Sequence, residues 1–334
     1  MEQIILKSPL DMHLHLRDGE ILKSVVKYTA QSFSGALVMP NLNPPLLNVD
    51  SALAYQKRIL EVCDDKSFNP MMSLYLTESL DRAELQKAKE RGIRFIKLYP
   101  KGATTGSESG VSEVLNTKIL EILEIAQELG LVLSIHGESN GFVLEREVEF
   151  HIIFAKLAQT FPHLKIIFEH LSDCRSIDLV EKYPNLYATL TLHHISLSLD
   201  DVIGGALNPH TFCKPILKTP KDRDALLQLA LSAHKKFSFG SDSAPHLQTS
   251  KESAKGAAGI FSSPILLPAL ATLFDAHKRL ENLEQFISGN AQRIYGIEEA
   301  KKQVVLVKKP MVVPQNIEGI VPLYAGKTLN WSLA

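Results

Sequence analysis

Six side chains in this sequence have the types and spacing to hold divalent cations. His13 and His15 are one residue apart in MHLHLRDG. On a β-strand, residues i and i+2 share a face, so the two imidazoles would project together and could grip one cation. Arg17 joins that inward face, and Met12, Leu14 and Leu16 take the other, toward surrounding helices. An isolated pair of this kind is as readily two hydrogen-bonded core histidines, so the remaining residues matter more. Lys97 sits within the apolar run RFIKLYP. Lysine is seldom buried without a partner, and the ordinary alternative is a head group that reaches water from a strand end. Burial near cations would lower its pKa, and a neutral amine can add carbon dioxide to form a carbamate, whose two oxygens can bridge two metals. His136 ends the run LVLSIH and His170 ends KIIFEH. Asp242 follows FSFGS. Its plain role would be a helix N-cap; as a ligand it adds negative charge and can move a proton.

The elements that must position these residues are short apolar runs alternating with amphipathic stretches. Strands are expected at 11–16, 36–40, 71–77, 94–99, 132–136, 165–170, 187–192 and 236–240, and helices between them, most clearly at 51–63, 116–129, 143–159 and 221–234. Eight strands alternating with helices read as parallel β/α units. Eight units can close as a (β/α)8 TIM barrel, whereas six or seven would point to an open doubly wound sheet. An extra strand at 3–7 and a Val-, Ile- and Pro-rich extension at 304–334 lie outside the repeat. No second domain boundary is visible, so a single domain over 1–334 is expected. The length of 334 residues suits one barrel with additions. All six candidate ligands fall at or near strand C-termini, on the rim where barrel active sites lie. Two Gly- and Ser-rich loops, 101–112 and 241–259, belong to the same rim.

Bulk properties exclude other classes. The formal net charge is −1, which argues against nucleic acid or a membrane surface bound through bulk charge. Three cysteines, Cys63, Cys174 and Cys213, are too few and too scattered for a disulfide framework or a CxxC metal site. The start lacks the basic and apolar regions of a signal peptide, and no apolar run of about 18 residues suggests a membrane span. A cytoplasmic location is expected.

The ligand order, on strands one, four, five, six and eight, resembles that of the amidohydrolase superfamily. MHLHLRDG, VMPNLNPP, KLYPKGATT, HGE, EHLS, CKPILK, GSDSAPH and KGAAGIF are together similar to the dihydroorotases of the shorter, monofunctional bacterial type, from about residue 11 to residue 295. The resemblance implies two zinc ions, with His13, His15 and Asp242 on the first, His136 and His170 on the second, and a carboxylated Lys97 on both. It places Arg17, Asn41 and His246 on the substrate carboxylate, the Ala258 and Gly259 backbone on the ring, and Thr104 and Thr105 on a mobile loop over the site. Lys214 falls among the substrate contacts where an apolar residue is commoner in the family, and Ser241 stands where Thr is common. The implied reaction is the reversible closure of N-carbamoyl-L-aspartate to L-dihydroorotate, with Asp242 carrying the proton, in a homodimer. A dihydropyrimidinase or allantoinase would share the metals without needing the carboxylate contacts. A non-catalytic assembly homologue would be expected to have lost ligands, and none is lost here. His193 and His194 are read as core histidines, because the ligand set is complete without them; His151, His163, His210, His234 and His277 have no assigned role.

Overall fold

The computed structural model describes residues 2–334. Among these, eight strands form one parallel sheet: β2 (Leu10–Leu14), β3 (Gly35–Val38), β4 (Asn69–Tyr75), β5 (Phe95–Leu98), β6 (Val132–Ile135), β7 (Lys165–Phe168), β8 (Leu186–Leu190) and β9 (Phe237–Phe239). Their spatial order is their chain order, so every crossover turns the same way around. The seam closes between first and last strands: Asp242 N–H donates to the His13 carbonyl at 2.8 Å, and His15 N–H to the Ser243 carbonyl at 3.0 Å. That closure is the TIM barrel expected from eight repeats, and it excludes the doubly wound alternative, in which the strand order reverses.

Local chemistry sets the helices. Helix Thr117–Leu129 starts where the Asn116 side chain accepts from Ile119 N–H, and it stops at Gly130 with φ 70°. Its buried face is Ile119, Ile122, Leu123 and Ala126, at helical spacing. Helices Val49–Val62 and Pro220–Leu231 each begin with a capping box, from Asn48 with Ser51 and from Thr219 with Asp222. The stretch expected as one helix at 143–159 is two, Arg146–Glu149 and His151–Thr160.

Two details differ from the sequence reading. The strands end one or two residues earlier than expected, so His15, His136, His170 and Asp242 stand just past the ladder, at the loop starts. Met12 does not face the helices. It joins Leu10, Leu37, Phe95, Val132 and Ile167 in a cluster inside the barrel, which Ala291, Ile294 and Tyr295 plug. The cause is a register shift between Asp11 and Leu14 against β3. A bulge breaks the strict alternation of faces, so Met12 and His13 both point inward while Leu14 packs with the outer cluster.

The chain ends meet beside the barrel. β1 (Gln3–Lys7) pairs antiparallel with β10 (Gln303–Val307), from Gln3 opposite Val307 to Lys7 opposite Gln303. β11 (Met311–Val312) pairs with β12 (Thr328–Leu329), and β13 (Ser332–Leu333) adds to β10. The buried Trp331 donates to Asp275 at 3.0 Å, which ties the extension to helix Leu266–Ala276. Among the described residues no helix is long and apolar enough to cross a membrane.

Candidate metal centre

The closing seam brings His13, His15 and Asp242 together. His15 Nε2 is 3.1 Å and His13 Nε2 3.5 Å from Asp242 Oδ1, and the two Nε2 atoms are 3.3 Å apart. One donor from each of the three residues lies within 4.8 Å of the others. Across the rim, His136 Nδ1 faces His170 Nε2 at 3.1 Å. Lys97 lies between these groups, fully buried on β5. Its Nζ has no hydrogen-bond partner and sits 5.1 Å from the centre of the Tyr99 ring.

Two carboxylates outside the six-residue set orient the histidines. Glu169 Oε2 is 2.9 Å from His13 Nδ1 and accepts from Thr189 at 2.7 Å. Burial alone would raise the Glu169 carboxyl, but His13 and Lys97 hold it down at about 2. An ionised carboxylate only accepts, so His13 Nδ1 carries the proton and Nε2 offers its lone pair toward Asp242. Glu138 does the same for His136. Its carboxylate lies 2.7 Å from Nε2, is lowered by His136 despite burial, and so turns the Nδ1 lone pair toward His170. Metal-bound histidines are commonly steered this way. A signal for both was present in the sequence, an acid next to or near each strand-end histidine in FEH and HGE. A third buried acid, Asp11, accepts from Ser241 N–H at 2.7 Å and Ser241 Oγ at 2.6 Å. It binds β2 to the loop of Asp242, and burial raises its pKa to about 7.

Burial also governs the ligand protonation. It lowers His13, and it lowers His15 and His170 well below the usual imidazole value, with Arg17 adding to the effect at His15 and His136 at His170. Lys97 falls to about 8 for the same reason. Asp242 is raised by burial against the pull of His13, His194 and Lys97. Protonation is thus disfavoured at His13, His15 and His170, beside a lysine without a partner. Clustered ring nitrogens, a carboxyl oxygen beside them and a buried amine without a partner are what a site for N- and O-ligated cations would show. The donor set fits divalent metal.

A small, narrow cavity opens above this floor. Asn41, Thr104, Thr105, Lys214, Ala258 and Gly259 line it together with Arg17, four of the histidines and Asp242. His246 lines the wider mouth just outside, beside Arg17, Asn41 and Thr105. A larger groove against the C-terminal extension contains none of these groups; the chemistry lies in the smaller space. Arg17 Nε donates to the Pro245 carbonyl at 3.1 Å, and its Nη2 is 2.9 Å from His246 Nε2. His246 Nε2 is equally 2.9 Å from the Ala258 carbonyl. Protonated, that nitrogen donates to Ala258; deprotonated, it accepts from Arg17. Burial, then Arg17, press the ring down to about 3, so it stays uncharged. Asn41 Nδ2 donates to the Thr105 carbonyl at 2.9 Å, while its buried Oδ1 has no partner. The 101–112 loop thus lies over the cavity, with Thr105 Oγ1 3.5 Å from the Ala258 carbonyl. Gly259 adopts φ 146°, and a Cβ there would come within 2.6 Å of the Ala244 carbonyl oxygen, so glycine is required for this close approach. Arg17, His170 and Asp242 also have positive φ, at 57°, 43° and 45°, a conformation uncommon outside glycine.

His193 and His194 lie apart from this set, in a buried group with Cys213. His194 is satisfied within the protein, by Thr191 Oγ1 at 2.9 Å and the Pro215 carbonyl at 3.1 Å.

An amidohydrolase family model matches residues 11–297. The chain is 56% identical to a dihydroorotase of Helicobacter hepaticus over 333 residues, 98% of this chain and 97% of that one. The crystal structure of a dihydroorotase from Campylobacter jejuni superposes with a TM-score of 0.94 at 45% identity, covering 99% of this chain and 97% of the other. A dihydroorotase from Saccharomyces cerevisiae, solved with 5-fluoroorotic acid, superposes with a TM-score of 0.94 at 34% identity, covering 100% and 99%.

Proposed function

The chain belongs to the dihydroorotase family of amidohydrolases, and on that premise we propose that its barrel mouth interconverts N-carbamoyl-L-aspartate and L-dihydroorotate, a step of pyrimidine synthesis. The observation that carries this reading is one cavity with a metal-type donor floor and, beside it, a corner of Arg17, Asn41 and His246. The enzyme is metal-dependent. His13, His15 and Asp242 would hold one zinc ion, His136 and His170 a second, and a carboxylated Lys97 would lie between them. When bound, the two ions supply a water nucleophile at neutral pH and polarise the scissile carbonyl.

The protein's own groups do the rest. In hydrolysis a C–O bond forms at the ring carbonyl and its C–N bond breaks. Asp242 accepts the proton of the attacking water and passes it to the departing ring nitrogen. Ring closure runs the same path backward, starting with Asp242 protonated. Arg17 and Asn41 hold the carboxylate that does not react, joined by His246, and so fix the ring over the floor. Glu169 and Glu138 keep the imidazole lone pairs aimed inward. Thr104 and Thr105 cover the ring on the loop and exclude bulk water, while the Ala258 and Gly259 backbone and Lys214 form the opposite wall. The complex of the yeast relative with 5-fluoroorotic acid, a pyrimidine carboxylic acid, supports a carboxylate corner of this kind. In the same reading the whole chain, 1–334, is one catalytic domain, working as a cytoplasmic homodimer.

The test is a metal analysis of the purified protein together with an assay on L-dihydroorotate. Two equivalents of zinc and turnover of dihydroorotate are expected. Preference for uncharged dihydrouracil or a hydantoin would move the assignment to a dihydropyrimidinase, and metal-free activity would remove the metal centre.

A further inference from the structure

Lys251 stands outside the cavity, at the end of the short helix Gln248–Lys251 in the loop after β9. It is only 4% exposed. Its ammonium donates to the Phe212 carbonyl at 2.8 Å and to the Gly259 carbonyl at 2.6 Å. These two partners lie in separate loops, which also meet directly, Gly259 N–H donating to the Phe212 carbonyl at 2.9 Å. Burial lowers the amine to about 8, a sign of how far from water the cation is held. A buried ammonium on two carbonyls is a costly way to fill space, since an apolar side chain would avoid its desolvation. It does what an apolar chain cannot, which is to pin two backbones at a set spacing.

The pinned peptide is a hub of the cavity wall. The Ala258 carbonyl, one residue before Gly259, lies 2.9 Å from His246 Nε2 and accepts from Thr105 Oγ1 at 3.5 Å. Gly259 is itself wedged, since a Cβ would lie 2.9 Å from His246 Cδ2. On the other side, Phe212 leads through the buried Cys213 to Lys214, which lines the cavity. One side chain therefore ties together the ring-contacting backbone, the seat of His246, the docking point of the loop and the segment bearing Lys214.

We propose that Lys251 is a positioning residue for substrate binding, holding the Ala258–Gly259 wall and the Phe212–Lys214 segment at the separation the ring requires. This rests on the reading above, in which that wall contacts the substrate. The test uses the metal-loaded enzyme with Lys251→Met, which keeps length and removes the donors, and Lys251→Arg as the conservative variant. Metal content, kcat and KM for dihydroorotate are measured, with amide hydrogen exchange over residues 255–262. Losing hydrogen bonds from a charged donor should raise KM about tenfold, with kcat far less affected, metal content unchanged and exchange faster in that stretch. Lys251→Arg should recover much of the KM. Unchanged exchange in Lys251→Met overturns the pinning role. A parallel loss of kcat, KM and metal would reduce Lys251 to general stability and overturn the proposal as well. Faster exchange with an unchanged KM would leave the pin in place and overturn instead the assignment of this wall to the substrate.

Discussion

Arg17→Met separates recognition of the carboxylate from the metal chemistry. A guanidinium has five N–H donors. In the structure Nε is engaged by the Pro245 carbonyl and one Nη2 proton faces His246, which leaves three, enough for a bidentate carboxylate pair. The backbone at Arg17 is held separately, its carbonyl accepting from the Tyr55 hydroxyl, so methionine should sit in the same place without the charge. Removing one partner of a buried ion pair costs about 3–5 kcal/mol. At about 1.4 kcal/mol per factor of ten, kcat/KM for dihydroorotate should fall by roughly two to three and a half powers of ten. Dihydrouracil has the same ring without the carboxylate, so it should be a poor substrate for the wild type and nearly indifferent to the change. The assay is kcat/KM for both compounds with both proteins, at matched metal content. An equal loss on both compounds would refute the reasoning, because it would place Arg17 in the folding of the rim or in the chemistry instead of at the carboxylate.

Three further changes probe the floor. Lys97→Ala should lose most bound metal and activity, with partial rescue by short carboxylic acids; an unmodified Lys97 amine in a well-ordered crystal structure of the metal-loaded, active enzyme would count against the bridge. Asp242→Asn should keep part of its metal and lose orders of magnitude in kcat, because a carboxamide cannot pass the proton; near-normal turnover in a metal-replete variant would remove its catalytic role. Glu169→Gln leaves a neutral partner on His13 Nδ1, and loss of such an orienting carboxylate typically weakens metal binding by about 10–100-fold; competition with a chelator reads this directly, and unchanged affinity would make Glu169 a packing residue.

Much of the architecture is legible in the sequence because β/α repeats advertise themselves. Apolar runs ending in His136 and His170, spaced by amphipathic stretches such as 116–129 and 221–234, state the strand count and direction. The candidate ligands are legible for a related reason: a polar, metal-seeking side chain at the end of an apolar strand is costly unless it has work to do, and His13, His15, Lys97, His136, His170 and Asp242 all stand at or near such ends. Arg17, Asn41, Thr104, Thr105, Lys214, His246, Ala258 and Gly259 are legible through family resemblance, since nothing in their local spacing joins them.

What the sequence could not express is anything that depends on distance across the barrel. The bulge that turns Met12 inward follows from how β2 pairs with β3, and strict alternation predicts the opposite face. The use of Glu169 on His13 joins residues 156 positions apart, and the grip of Asp11 on Ser241 spans 230. The pinning of Gly259 to Phe212 by Lys251 joins three segments that share no pattern. Residue types and their periodicity determine which elements form and which side chains their ends carry, because those are short-range matters of burial and backbone preference. Only closure of the barrel decides which nitrogen of His13 keeps its proton, which buried groups remain without a partner and which backbones meet, because hydrogen bonding and desolvation depend on neighbours that the chain order does not contain.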